Sequence, residues 1–439
     1  MSSFGLKKWK LILLALISIV AYTWIAYFLD RSQFYELLLC FSLAFAAYYF
    51  FSKHAQLEKL SFFIGLGIVF RLLFLFSTPS LSDDYFRFIW DGQLMASGLN
   101  PFDFKPSEVQ INFSNKEILL NGTNSPNYYT VYPPIAQLVY WLSVLISPNS
   151  ILGSIVSMRS ILLLAEIGVV ILLPRLLHLL KMNPINSLWY ILNPLVIVEI
   201  CGNLHFEGLV IFFLLLAVYM LAINKSKLAG LAWALAAATK LIPLLLLPIF
   251  MRKLNGFKVV VFFGIVALTF LILWWPFYST NFLGNFLMSI QLYSNSFEFN
   301  ASVYYLVREV GYVFSGYNII QTAGPILSAL AYLGVLIILL HRKIIKWTSF
   351  FSLLLFALSW YYLLGLIVHP WYSISLVFLA VFTRFKYPML WSFLAILSYW
   401  AYNNPTFHEN YWLIGIEYAL VVGFACFEIF NSKKLKAFS

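Results

Sequence analysis

Charge is scarce in this chain. Of its 439 residues only 10% are charged and 62% are hydrophobic, with mean hydropathy +0.86, whereas a soluble domain carries about 25% charged residues. A water-soluble globule is excluded, and the sequence reads as a polytopic membrane protein whose length gives no useful domain count. Cysteine is scarcer still. Cys40, Cys201 and Cys426 lie singly in apolar runs, which excludes a disulfide framework and a cysteine-based metal site. Walker A, HExxH, GxSxG and dinucleotide-binding patterns are all missing. So are internal repeats, low-complexity linkers and a polar stretch long enough for a soluble cytoplasmic domain, so a cytoplasmic nucleotide-sugar site is not expected.

What is present is apolar and aromatic. Aromatics make up 19% of the chain, with Trp and Tyr often near the ends of apolar runs, where interfacial belts form. Candidate spans are 11–29, 34–51, 60–77, 153–177, 186–202, 207–223, 257–275, 319–341, 347–366, 370–384, 387–402 and 411–430. The first follows Lys7, Lys8 and Lys10 without a small-residue cleavage pattern and reads as a retained signal anchor. Two further runs resist assignment. Residues 134–147 are too few to span, and 228–251 is interrupted by Thr239-Lys240 and Pro243.

The positive charge arbitrates. If 134–147 lies in the outer interface and 228–251 is a hairpin returning to its own side, eight basic clusters become cytoplasmic. They are Lys7/Lys8/Lys10, Lys53/Lys59, Arg175/Lys181, Lys225/Lys227, Arg252/Lys253/Lys258, Arg342/Lys343/Lys346, Arg384/Lys386 and Lys433/Lys434/Lys436, holding 20 of the 28 Lys and Arg. The positive-inside rule favours this arrangement, and it explains the net charge of +11 without a nucleic-acid partner. Two loops then face outward, 78–153 and 276–318, and the expected architecture is one membrane domain over 1–439 whose outer face gathers the polar groups.

The richest polar segment runs from Ser82 to Phe102, where Asp83, Asp84 and Asp91 interleave with Tyr85, Phe86, Phe88 and Trp90. Two acids after Ser82 suit a helix cap and first turn, and they equally suit general-base work on a sugar hydroxyl. Asp91 falls about two turns along the same helix face. Asn203, His205 and Glu207 occupy GNLHFEG, a tight turn between apolar runs, and two ligands alone do not specify a metal. Lys240 interrupts about twenty apolar residues, and an ionisable side chain at such a depth is a functional candidate. Free N–H groups beside its charge suit a phosphate, with pairing to Glu207 as the structural alternative. Glu298, Asn300, Tyr304, Tyr305 and Arg308 lie in FEFNASVYYLVREVG. His369 opens an apolar run, a place where a lone histidine is usually structural, and Trp371 and Tyr372 beside it have rings that suit a sugar face. Arg71 lies in an apolar run, with an outer-loop acid as its expected partner.

Six segments together carry a family resemblance: LSDDYFRFIWDGQLMASGLNPF, VYPPIAQLVYWLS, NPLVIVEICGNLHFEGLVIFFLLLA, LAGLAWALAAATKLIPLLLLP, EFNASVYYLVR and HPWYSI. In this order, and over most of residues 60–380, the chain resembles the GT-C superfamily of integral-membrane glycosyltransferases. It looks closest to the bacterial mannosyltransferase-like branch, which is distantly similar to GPI mannosyltransferase. The resemblance implies an all-α, GT-C-like bundle of about 12 to 14 transmembrane segments, with interfacial helices in the two outer loops. It implies inverting transfer of a hexose, mannose-like by preference, from a polyprenyl-phosphate donor to an extracytoplasmic glycan or lipid acceptor.

By the same resemblance Asp83 is the general base with Asp84 beside it. Asp91, His205, Glu207, Lys240, Glu298, Asn300, Tyr304, Arg308, His369, Trp371 and Tyr372 would line the substrate cavity. The partners would be a lipid-linked sugar donor, a glycan or lipid acceptor, and membrane lipids. No cofactor and no metal site is assigned, a divalent ion staying open. The expected location is a bacterial inner membrane with the site facing outward, an ER membrane being the other option. A flippase for lipid-linked sugars would instead place its polar groups near the bilayer midplane on broken helices. A noncatalytic partner in an envelope-glycan complex would need no base at all.

Overall fold

The computed structural model describes residues 8–341, 344, 346–404 and 406–437. Lys7, Arg342 and Lys343 lie outside the described residues, as do the side chains of Lys8, Lys433, Lys434 and Lys436. The described residues are helical with no sheet; a lone parallel bridge joins Phe299 to Ile367.

Among the described residues, seven helices are long and apolar enough to cross a bilayer: Trp9–Tyr27, Phe34–His54, Ile151–Leu179, Phe257–Phe277, Ile320–Leu340, Trp347–Leu364 and Tyr411–Asn431. A pair bent by 54°, Pro184–Ile191 and Pro194–Gly202, makes eight if it counts as one span. The expected count of about 12 to 14 is not confirmed by helices of this length. Several apolar runs fold into pieces too short for the task. The run at 60–77 gives a 13-residue helix, Leu60–Leu72, and the run at 207–223 gives 16 residues, Glu207–Ala222. The runs at 370–384 and 387–402 give 8-residue α-helices joined to tight 3-10 segments. At 1.5 Å per residue a 13-residue helix is about 20 Å long, short of the ~30 Å hydrocarbon core. Periodicity and hydropathy do not separate such pieces from full spans.

The elements that build the site are α1 (Lys8–Tyr27), α2 (Phe34–His54), α3 (Leu60–Leu72), α4 (Asp84–Ala96), α5 (Pro134–Ile146), α6 (Ile151–Leu179), α7 (Glu207–Ala222) and α8 (Ser226–Thr239). Helix α4 begins where Pro79 and the Ser80–Ser82 turn end the preceding apolar stretch. It stops at Gly98, whose φ of +77° only glycine takes cheaply. The Leu99 N–H reaches the Leu94 carbonyl at 2.9 Å and the Gly98 N–H reaches the Met95 carbonyl at 3.0 Å, a Schellman ending. Helix α4 packs on α5 through Phe88 and Tyr140, whose rings stack at 4.6 Å and 6°.

Between α6 and α7 the chain takes an unusual path. After Asn193-Pro194 it widens into a π-helical turn, Ile197–Gly202, a form that recurs at functional sites. Arg159 of α6 secures that turn. Its buried guanidinium donates to the carbonyls of Cys201 (2.5 Å), Gly202 (2.9 Å), Leu75 (3.0 Å) and Ser77 (2.5 Å). The two strands of chain that carry the candidate acids and the candidate histidine are thereby fixed side by side. Arg71 of α3 does not pair with an acid of the first loop, as the sequence suggested. It is enclosed with Glu166 of α6 at 2.8 Å, and Tyr190 donates to the same carboxylate at 2.8 Å. Exposure near zero for both partners leaves Arg71 within reach of an internal acid and not of a loop acid at the surface.

After α8 the helix breaks at Lys240, which is extended (φ −147°, ψ 145°). The Trp233 indole N–H donates to the Pro243 carbonyl at 3.0 Å. Ten residues of continuous helix would separate these groups by about 15 Å, so the chain doubles back there.

Gly92 sets how closely α4 approaches α5. A Cβ at that position would lie 2.6 Å from the Tyr140 carbonyl oxygen. Gly92→Ala must push the helices apart, and overpacking of this kind costs about 1–3 kcal/mol. Thermal unfolding of purified protein should show a lowered melting temperature. An unchanged one would mean that the α4–α5 seam is looser than described.

Candidate functional site

Asp83 is the last residue before α4, yet its side chain makes no capping hydrogen bond. Its carboxylate instead meets Arg31, in the turn between α1 and α2, with Nη1 to Oδ2 at 2.5 Å. Asp84, one residue on, accepts a hydrogen bond from the Asn124 side-chain amide at 3.0 Å. Both acids are partly exposed, so both can meet a substrate. Tyr402 lies beside them. Its ring carries the Arg31 guanidinium at 4.9 Å. Burial pushes its phenol up to about 12, with Arg31 opposing and the charges of Asp84 and Asp83 adding.

Asp91 is placed differently. It has no exposed surface, and its carboxylate is taken by Arg87 at 2.8 Å and by Gln137 of α5 at 2.9 Å. Arg87 in turn donates to the carbonyls of Ser125 (3.0 Å) and Tyr128 (2.9 Å), and so holds Asn124 against Asp84. Asp91 therefore serves the acid pair through two intermediaries and lies out of a substrate's reach.

The turn at GNLHFEG meets this segment directly. The Asn203 side-chain oxygen accepts from the Leu81 N–H at 3.3 Å, and its amide donates to Glu199 at 3.0 Å. Glu199 also accepts from Tyr399 at 2.7 Å and lies 3.3 Å from His205 Nε2. Glu207 opens α7 and pairs with Lys240. The anion that Lys240 needs is thus supplied by the protein, as in the structural alternative drawn from sequence. Lys240 retains 24% of its side-chain exposure.

His205, Trp371 and His369 form a stack. The indole lies 3.6 Å from the His205 ring at 21° and 4.2 Å from the His369 ring at 9°. Two near-parallel imidazoles so close to one centroid would overlap on a single face, so they take opposite faces. Both faces of Trp371 are covered, and a sugar would have to displace a histidine to stack there. Phe299 covers His369 from beyond, with centroids 4.8 Å apart. Burial, with the charges of His205 and Lys240 nearby, pushes the His369 imidazole down to about 3. It is neutral at ordinary pH and offers a ring and a hydrogen-bonding nitrogen, with no charge for a phosphate. Tyr372 stacks on Tyr362 at 5.5 Å.

The residues from the second loop form a separate internal network. Arg308, in α9 (Val303–Ser315), pairs with Glu298 at 2.7 Å and Glu309 at 3.0 Å. Tyr304 donates to Glu298 at 2.7 Å and, in α9 also, Tyr305 donates to Glu409. The Asn300 N–H reaches Glu409 at 2.6 Å, and the Asn300 carbonyl accepts from Tyr418 of α10 (Tyr411–Ala437) at 2.6 Å. Burial pushes the Glu409 carboxyl up, against the opposing pull of the Tyr305 and Asn300 hydrogen bonds. Glu298, Asn300, Tyr304 and Arg308 are thus spent on one another and on the start of the last helix. They approach the first cluster through Phe299, whose ring lies beside His369 and Tyr402. Among the described residues, no three His, Cys, Asp or Glu side chains converge as metal ligands would.

With this geometry in place, one comparison decides the family. The family model for the N-terminal domain of alpha-(1->6)-mannopyranosyltransferase matches residues 18–255, more than half of the chain. The chain belongs to that family. A comparison with curated proteins found no match. The mannopyranosyltransferase domain takes in Arg31, both loop acids, Glu199, His205, Glu207 and Lys240, while the His369–Trp371 pair and the second-loop network lie beyond it.

Sequence reasoning passed over Arg31, Asn124, Glu199, Tyr399 and Tyr402. An arginine in a short turn between spans gives no signal of its own. Glu199 did give one, since it interrupts an apolar run as plainly as Lys240 does.

The Lys240–Glu207 pair can be tested. Lys240→Met leaves a nearly buried carboxylate without its cation, and an unpaired buried acceptor costs about 1–3 kcal/mol. The melting temperature should fall and should largely recover in the Lys240→Met, Glu207→Gln double variant. Equal losses that simply add would show that the two side chains act independently.

Proposed function

We propose that this protein transfers a mannose-like hexose from a polyprenyl-phosphate donor to an extracytoplasmic glycan or lipid acceptor, with inversion. Family membership supports mannosyl transfer. One observation carries the site assignment. Two partly exposed carboxylates begin the first loop, and buried hydrogen bonds, from Arg159 to the Ser77 carbonyl and from the Leu81 N–H to Asn203, tie that loop to the His205–Glu207 turn.

In this reading Asp83 takes the proton of the acceptor hydroxyl. The resulting oxygen attacks the anomeric carbon in line, and the bond from that carbon to the phosphate oxygen breaks. The lipid phosphate leaves with the electron pair. Asp84, held by Asn124, orients the sugar or the acceptor. The Glu207–Lys240 pair and the His205–Trp371–His369 stack form a fixed polar wall beside them. The excess of Lys and Arg in the opposite loops supports an outward-facing site, where a lipid-linked donor is the accessible kind.

Asp83→Asn should keep expression and melting temperature but lose most turnover, because removing a general base typically costs about 10²–10⁴-fold. Asp84→Asn should lose less and should raise the KM for the acceptor. Both rates are measurable with purified protein and a radiolabelled polyprenyl-phosphate mannose. Wild-type turnover in Asp83→Asn would reject the assignment.

A further inference from the structure

Trp371 is covered on both faces, so a sugar finds no ring to rest on there. Three other rings lie beside the acid pair, and both outer loops supply them. Asn124 of the first loop donates to Asp84 at 3.0 Å. Tyr128 follows four residues on, its carbonyl held by Arg87 at 2.9 Å. The Tyr128 ring meets Phe297 of the second loop edge-on, with centroids 5.3 Å apart at 82°, and Phe297 meets Tyr293 edge-on at 6.1 Å and 90°. Tyr293 lies near the end of the helix Phe282–Asn295, and just beyond it the Phe297 N–H turns back to the Leu292 carbonyl at 2.9 Å.

These rings are open. An edge-on contact takes the face of one ring and the rim of the other, so two such contacts leave most of the faces without a ring partner. Tyr293 is 42% exposed, and Tyr128 and Phe297 are half-buried. Tyr293 is desolvated all the same. Burial pushes its phenol up to about 12, with the charge of Asp84 adding and Arg87 opposing. A ring with free surface at contact distance, yet crowded by protein further out, stands on a concave wall, and Asp84 is close enough to act on it.

Charge selects the ligand. Lys105, in the same loop, is paired with Glu108 at 2.9 Å and lies over Tyr129 at 5.2 Å. Arg87 is held by Asp91 and by the carbonyls of Ser125 and Tyr128. The partly exposed charge beside the strip is that of Asp84, which disfavours an anion such as a lipid phosphate. Open rings, exposed amides at Asn124 and Asn127 and no spare cation suit a neutral polyol. A pyranose offers a face of C–H bonds to a ring and a rim of hydroxyls to amides, and a few polar groups among aromatic ones are what fix such a ligand.

We propose that Tyr128, Tyr293 and Phe297 form a subsite for a second sugar unit of the acceptor, which is therefore a glycan of at least two units. One unit presents its hydroxyl to Asp83, and the next lies on the rings, with Asn124 between them. This rests on the sugar-transfer reading given above and adds to it which acceptor is taken and where its far end lies.

The test measures binding of methyl α-mannoside and of a linear α-mannotriose to purified protein without donor. Wild type should bind the mannotriose about 10-fold more tightly, the order that an aromatic contact adds. Tyr293→Leu with Phe297→Leu removes two rings and should lose most of that preference, whereas Tyr293→Phe keeps its ring and should retain it. In wild type, saturating the aromatic protons of the protein should transfer magnetisation to C–H protons of a second mannose unit. If wild type binds both sugars equally or neither, or if the double variant keeps the preference, the subsite is overturned while mannosyl transfer still stands. Absence of that magnetisation transfer would overturn it as well, whatever the variants do to folding. If the preference and its loss are both seen but no mannose passes from polyprenyl-phosphate mannose to the mannotriose, the subsite stands and the transfer reading fails.

Discussion

Arg159 is enclosed by four main-chain carbonyls, two from the turn after α3 and two from the end of the π-helical turn before α7. No carboxylate shares that position. A buried guanidinium without an anion is tolerable only when its N–H groups are filled, and here the backbone fills them. The reverse also holds. Those carbonyls stand at chain ends where helical hydrogen bonding stops, and without the arginine they would be buried acceptors lacking donors. Each side needs the other, so two segments far apart in sequence are locked at one spacing. The first carries Asp83 and Asp84, and the second carries Asn203, His205 and Glu207. The Leu81 to Asn203 hydrogen bond is the next link outward from the same clamp.

Around this joint the polar groups divide into two systems with different roles. In the first, several members keep some exposure: Arg31, Asp83, Asp84 and Lys240 can all meet solvent or a ligand. In the second, built on Glu298, Asn300, Arg308 and Glu409, hydrogen bonds run inward to Tyr304, Tyr305 and Tyr418. That closure suits a brace that fastens the second loop to the last helix. The two systems touch through rings, Phe299 on His369 and His369 on Trp371, so the brace also fixes the orientation of the stack beside His205.

Much of this was legible in the sequence, for reasons specific to each part. Scarce charge and long apolar runs gave a helical membrane protein, because a bilayer leaves the backbone few alternatives. The cluster at Asp83 and Asp84 stood out because acids at a membrane boundary are costly. Lys240 stood out likewise, and its helix break was legible in the flanking Thr239 and Pro243. The span count was not legible. Hydropathy treats Leu60–Leu72 and Ile151–Leu179 alike, although one is 13 residues long and the other 29. Nor was pairing legible. Arg71 finds Glu166 across 95 residues of chain, and Arg31 finds Asp83 across 52, choices made by helix packing and not by local pattern. Trp371 read as a sugar platform because its type and setting suit one, while the imidazoles that cover it come from the adjacent His369 and from His205.

The central claim is that this site draws its sugar from a lipid phosphate and inverts the anomeric centre. The most direct measurement reconstitutes the protein in sealed liposomes with a mannosyl acceptor and supplies either polyprenyl-phosphate mannose or a nucleotide-linked mannose. The anomeric configuration of the product is then read by NMR. The account predicts transfer from the lipid donor alone, with a product of configuration opposite to the donor. Transfer from the nucleotide donor, or retention of configuration, would contradict it.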